Sequence, residues 1–120
     1  RTACAFRPQR RVILIRPIPE MPSDVPRAVA RRLMMGAIPE VTVTRRLYEL
    51  RNGWVWKAQD AAVSACGVEV LDPTRALCDS TQCFGYRHGQ VLYHDDDHLS
   101  ETGIKLLVEM FRTVLPQHEN

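Results

Sequence analysis

The sequence lacks any long apolar run. No run exceeds four residues, as in Val12-Ile13-Leu14-Ile15, against the roughly 20 that a helix needs to cross a bilayer. It also lacks an excess of one charge: sixteen basic against fourteen acidic side chains give a net +2, far from the concentrated basic surface that nucleic-acid binding needs. Fourteen of the sixteen are Arg, in pairs such as Arg10-Arg11, Arg31-Arg32 and Arg45-Arg46, which solvated helix faces and strand ends accommodate. There is no internal repeat and no low-complexity tract, and an apolar fraction of 45% with 25% charged residues excludes a disordered tail. Neither an initiator Met nor a charged-then-apolar leader precedes Arg1, so the chain reads as a piece of a longer polypeptide, folded as one domain or part of one.

Cysteine is scarce as well, at four residues, too few for a fold built on disulfides. Cys78 and Cys83 stand five apart in the polar loop Cys-Asp-Ser-Thr-Gln-Cys. A local bridge between them is expected, because zinc would want a tighter pair and a second pair elsewhere. Such a bridge implies an oxidising compartment. Cys4 and Cys66, distant in sequence and flanked by apolar residues, read as buried free thiols.

The β-branched run at 11–15 predicts a buried strand of a parallel sheet, ended by Pro17-Ile18-Pro19. Residues 17–39 hold five prolines and read as a long loop with a turn or two of helix near Val25 to Leu33, either of the kind that borders a binding cleft or a surface excursion with no role. Thr44 caps a predicted helix over 45–66, stopped by Gly67 and weakened by Gly53, with Leu47, Leu50, Trp54, Ala58, Ala61, Ala62 and Ala65 on its apolar stripe. Trp54 and Trp56 fall on different faces, one for the core and one half-exposed. Val68 to Leu71 then gives a second parallel strand, completing a strand, crossover helix, strand unit. Residues 78–89 read as a loop or small hairpin, 90–93 as an extended segment and 94–99 as a polar turn. Ser100 caps a helix over 101–115 whose inward face is Ile104, Leu107, Val108, Phe111 and Val114; residues 117–120 read as a frayed tail.

Chemistry concentrates in Tyr93-His94-Asp95-Asp96-Asp97-His98-Leu99-Ser100. Asp95 and His98 are spaced so that, on a turn, the carboxylate accepts a hydrogen bond from Nδ1 and leaves Nε2 free for a nucleophile. The same segment also reads as an acidic turn that caps a helix, or as a divalent-metal site of His94, Asp95, Asp97 and His98. The calcium-loop pattern fails for want of a glycine and a closing Glu, and neither metal nor cofactor is assigned.

The surroundings favour the first reading. Leu77-Cys78, Cys83, Gly89-Gln90-Val91-Leu92-Tyr93 and Asp95-Asp96-Asp97-His98-Leu99-Ser100-Glu101-Thr102-Gly103 resemble the end of the SGNH domain of bacterial acyltransferases of family three, the polysaccharide O-acetyltransferases. Val12-Ile13-Leu14-Ile15-Arg16-Pro17-Ile18-Pro19-Glu20-Met21 is similar to a strand and its proline-rich exit near the middle of those domains. The resemblance implies a flavodoxin-like three-layer α/β/α sandwich, with Asp95 as orienting acid and His98 as general base of a serine triad. It implies an acyl donor and a carbohydrate acceptor, a periplasmic location, and a membrane-embedded acyltransferase domain in the full-length protein. The nucleophile of that family lies in a Gly-Asp-Ser block, and a Gly and an Asn from later blocks complete its oxyanion hole; none of these blocks occurs here. Asp79-Ser80 follows Cys78 inside the expected disulfide ring and is no nucleophile elbow. The 120 residues therefore read as the C-terminal part of such a domain, inactive alone. Taken literally, the chain also fits a non-catalytic binding or structural module that keeps the fold without a nucleophile.

Overall fold

The computed structural model describes residues 2–116; the tail expected to fray, 117–120, lies outside the described residues. In chain order the elements are α1 (Thr2–Phe6), β1 (Ile13–Ile15), α2 (Val25–Met34), β2 (Thr42–Thr44), α3 (Arg45–Cys66), β3 (Glu69–Leu71), α4 (Thr74–Leu77), β4 (Gln82–Phe84), β5 (Tyr86–Arg87), β6 (Gln90–Val91), α5 (Glu101–Lys105) and α6 (Val108–Arg112).

The aliphatic run at 12–15 does become a strand, but not a buried one: Ile13 and Leu14 are half-buried and Ile15 is exposed. β1 pairs in parallel with β3 in the register Ile13 to Glu69, Leu14 to Val70 and Ile15 to Leu71. Backbone bonds from Glu69 to the Val12 carbonyl at 3.0 Å and from Arg16 to the Leu71 carbonyl at 2.9 Å extend the ladder. Pro17, without an N–H, ends it. Arg11, which the sequence places in the strand, turns out to an ion pair with Glu69 at 2.6 Å.

Helix α3 links the two strands. Thr44 Oγ1 accepts from the Leu47 N–H at 3.1 Å, and Gly67 closes the C-terminus at φ 67°. The face it buries is not the predicted one: Leu50 and Trp54 are 73% and 74% exposed. The inward face runs through Tyr48, Asn52, Trp56 and Gln59, and polar bonds hold it to the exit of β1. Tyr48 donates to the Pro17 carbonyl at 2.7 Å, Trp56 Nε1 donates to the Tyr48 hydroxyl at 3.0 Å, and Gln59 donates to the Ile15 carbonyl at 3.0 Å. The Arg16 guanidinium lies 3.9 Å from the Trp56 ring centroid. Trp56 is thus half-buried and Trp54 lies in water, so neither is a core residue.

The 17–39 segment holds more helix than predicted, because Asp24 caps α2 by accepting from the Arg27 N–H at 2.9 Å and Pro26 fits its first turn. Strand β2 pairs antiparallel with β4, setting Val43 opposite Cys83, and β5 and β6 form a hairpin through His88-Gly89. Among the described residues, three two-stranded sheets together with the helices make an α/β arrangement. Met21, Val25, Val29, Val43, Leu77, Leu92, Tyr93 and Leu107 form the core beneath the 94–99 turn.

Two further expectations are corrected. Cys4 and Cys66 are not free thiols: they form a disulfide that ties α1 to the end of α3, and their separation of 62 residues hid the pairing from the sequence. Cys78 and Cys83 are bridged as expected. The helix predicted over 101–115 is two short helices, because Leu106 and Leu107 donate to Gly103 and Ile104 in three-residue steps that tighten the chain between them. This shifts the buried positions to Gly103, Leu107 and Val114, while Ile104 is 53% exposed.

Candidate catalytic turn

Asp95 shapes the turn that follows β6. Its Oδ1 accepts from the backbone N–H of Asp97 at 2.9 Å and of His98 at 2.7 Å, an Asx-turn that satisfies two amides the tight chain path would strand. With that oxygen occupied, Oδ2 meets His98 Nδ1 at 2.8 Å. Asp97 Oδ1 approaches the same nitrogen at 2.8 Å. Two acceptors at Nδ1 keep the ring proton there in the neutral imidazole, which puts the free lone pair on Nε2. The ring is 69% exposed. His94 does not join the pair: its Nε2 is 3.9 Å from Asp95 Oδ2, beyond hydrogen-bond length.

Neighbouring elements clamp this turn. The Asp96 carbonyl accepts from the Met21 N–H at 2.7 Å and the Asp95 carbonyl from the Val25 N–H at 3.0 Å, so the proline-rich exit of β1 and the first residue of α2 grip it from one side. Below, the buried Tyr93 donates its hydroxyl to the Pro19 carbonyl at 2.6 Å. Desolvation, aided by Tyr48, pushes this phenol above its ordinary value, and it remains a donor. Behind, Ser100 Oγ donates to the Val91 carbonyl at 2.8 Å and accepts from the Gly103 N–H at 3.1 Å, capping α5.

The charges reinforce one another. Partial desolvation pushes the Asp95 carboxyl up, but the N–H groups of Asp97 and His98 and the His98 ring outweigh it and hold the carboxyl below the usual range. The hydrogen bond to Asp95, then the charges of Asp95 and Asp97, raise the His98 pKa. The pair is thus set to stabilise an imidazolium.

A family model described as "SGNH domain (fused to AT3 domains)" matches residues 1–113. The chain belongs to this family. It is a family of hydrolase and acyltransferase type, joined to acyltransferase domains. No curated protein and no solved structure matches the chain.

In this SGNH domain the structure brings together Asp95 and His98, the two residues singled out by spacing. Asp79-Ser80 is built into a separate turn, where Asp79 Oδ1 accepts from the Thr81 and Gln82 N–H groups at 2.8 Å each; those bonds hold its carboxyl below the ordinary range. Asp95, Asp97 and His98 each offer one ligand atom within 4.8 Å of the others, but both Asp95 oxygens already accept hydrogen bonds within the turn. A cavity of about 540 Å³ lies elsewhere, between the end of β3 and α6, lined by Leu71, Asp72, Arg75, Leu106 and Met110 among others. The sequence reading missed the clamp of Met21, Val25 and Tyr93. Its one signal was the proline-rich stretch from Pro17 to Pro22, whose carbonyls have few local donors and so are open to tyrosine hydroxyls.

Proposed function

We propose that this SGNH domain supplies the acid and the base of a serine acyl-transfer triad, Asp95 orienting and His98 accepting the proton. The observation that carries the reading is the 2.8 Å bond from His98 Nδ1 to Asp95 Oδ2 on a ring whose other nitrogen is exposed and unbonded among the described residues. The nucleophile is a serine of a Gly-Asp-Ser block outside these residues. His98 Nε2 takes the hydroxyl proton as the oxygen attacks an ester carbonyl, and Asp95 stabilises the imidazolium that forms. The imidazolium returns that proton to the departing alkoxide, and the acyl-serine then passes its acyl group to an alcohol or to water by the same steps in reverse order.

The substrates that fit this chemistry and this family are O-acyl groups, above all O-acetyl groups, of cell-surface glycans. The fusion to acyltransferase domains and the two disulfides support a periplasmic domain tethered to the inner membrane. We read the 120 residues as the C-terminal portion of one flavodoxin-like three-layer sandwich. The solvent-facing Ile15, Leu50 and Trp54 are the surface on which the remainder packs, and the chain by itself is inactive.

In the complete protein, His98→Ala should lower turnover of p-nitrophenyl acetate by about 10³-fold or more, and a chelator should leave wild-type turnover unchanged. Near-normal turnover in the variant removes His98 from the mechanism. Loss of activity on chelation, regained with added metal, replaces the triad with a metal site at Asp95, Asp97 and His98. A complete protein with no turnover on any ester is a binding module.

A further inference from the structure

Helix α2 buries Val25 and Val29 on one stripe, at 0% and 6% exposure. The next position on that stripe is Leu33, and it is 60% exposed, so the last turn of the helix has left the body of the domain. Beyond it Met34, Met35 and Ile38 are 88%, 69% and 86% exposed. Four large apolar side chains within six residues of exposed chain are unusual on a protein that meets only water.

This end of the helix is a built turn. The Gly36 N–H donates to the Leu33 carbonyl at 3.0 Å and the Ala37 N–H to the Arg32 carbonyl at 2.9 Å, with Gly36 at φ 70°. That is a Schellman closure, and Pro39 follows it. The turn therefore presents Met34, Met35 and Ile38 on an ordered, convex tip. At the tip stand Arg31 and Arg32, in the last turn of the helix, both exposed and without an ion pair among the described residues. Two arginines against the single acid Glu40 leave residues 31–40 at +1.

An apolar point inside a cationic collar matches the interface of a bilayer. The methionines and Ile38 enter below the headgroups, while the arginines stay at the level of the phosphates with their stems against the acyl chains. A second copy of the same tip fits poorly, since it would bring two unpaired arginines against two others. We propose that the end of α2 and the turn after it dock this domain on a bilayer that contains anionic lipid. The opposite end of α2 holds the catalytic turn through the Val25 N–H, so ten residues of helix, about 15 Å, separate His98 from the lipid along the helix axis. The docking stands whether or not His98 is catalytic.

The test is co-sedimentation of the full chain with vesicles of phosphatidylcholine and phosphatidylglycerol at 3:1, and with vesicles of phosphatidylcholine alone. Binding is expected to the anionic vesicles and to be weaker by about tenfold or more on the neutral ones. The triple variant Met34→Ser, Met35→Ser, Ile38→Ser and the double variant Arg31→Glu, Arg32→Glu should each weaken it by about tenfold or more. All five side chains are exposed, and an unchanged circular dichroism spectrum and urea midpoint show that each variant folds. The proposal is overturned if the wild-type chain does not sediment with anionic vesicles, or if either folded variant binds them as well as wild type. It is equally overturned if the triple variant abolishes self-association in sedimentation velocity while vesicle binding is absent.

Discussion

Asp95 answers two demands with its two oxygens, and the division makes the pair testable one side chain at a time. Oδ1 builds the turn by accepting from two amides, and Oδ2 holds the imidazole. Asparagine keeps an acceptor for the amides but loses the charge, so Asp95→Asn should leave the fold in place and drop the His98 pKa toward the ordinary value of about 6.5. Asp97 also touches Nδ1, but the larger influence is Asp95, and Asp97→Asn should shift the ring less. Imidazole proton shifts followed by NMR against pH decide the matter; equal shifts in the two variants would show that Asp95 is not the principal partner. The same pair links to stability. The His98 value is raised on folding, so its contribution is complete below about pH 6.5 and fades as pH climbs through the folded value; the Asp95 value is lowered, so its contribution is complete above about pH 4 and fades as pH falls through the folded value. Both act together between about pH 4 and 6.5, and the Asp95→Asn variant should lose most, relative to wild type, within that window.

At the scale of elements, the position of the turn depends on how closely α5 approaches β6. A Cβ on Gly103 would collide with the carbonyl oxygen of Leu92, the group that accepts from the Ser100 N–H at 2.9 Å. Gly103→Ala should therefore lower the unfolding free energy by about 1–3 kcal/mol or more. Gly53 in α3 has open space around its would-be Cβ, and Gly53→Ala should gain about 1 kcal/mol from helix propensity. Urea unfolding of both variants checks the contrast, and a neutral Gly103→Ala would mean that α5 is free to slide. Signals carried by neighbours in sequence were legible in this chain. Thr44, Gly67 and Ser100 act as the caps their positions predict, the parallel pair at 13–15 and 69–71 follows from aliphatic runs, and the Asp95–His98 contact is local. Signals that depend on what lies opposite were not. The stripe of Leu47, Leu50 and Trp54 has helical period, yet the sheet edge offers polar partners, so Tyr48, Trp56 and Gln59 turn inward instead. Cys4 finds Cys66 because α1 folds back on α3, and no short-range pattern encodes that return.

The whole molecule exposes more than a chain of its length should. Its accessible surface is 8387 Å², against roughly 6600 Å² for a compact protein of this mass, and its radius of gyration is 16.8 Å, against roughly 14 Å. Large apolar groups are among what is exposed, including Ile15 on β1, Leu50 and Trp54 on α3, and the tip of α2. Since β1 pairs with β3 alone among the described residues, its other edge and the outer face of α3 are open, which is the support for the proposal that these residues are part of a larger domain. Trp54 reports on that cover directly. In a Trp56→Phe variant of the 120-residue chain, where Trp54 is the one remaining tryptophan of the chain, acrylamide should quench its emission nearly as well as that of free tryptophan. In the complete protein, with every other tryptophan replaced by phenylalanine, the same side chain should be protected and its emission shifted to shorter wavelength, because burial removes both quencher and water. Equal quenching in the two would mean that nothing packs on α3, and this face would no longer support the proposal of a larger domain.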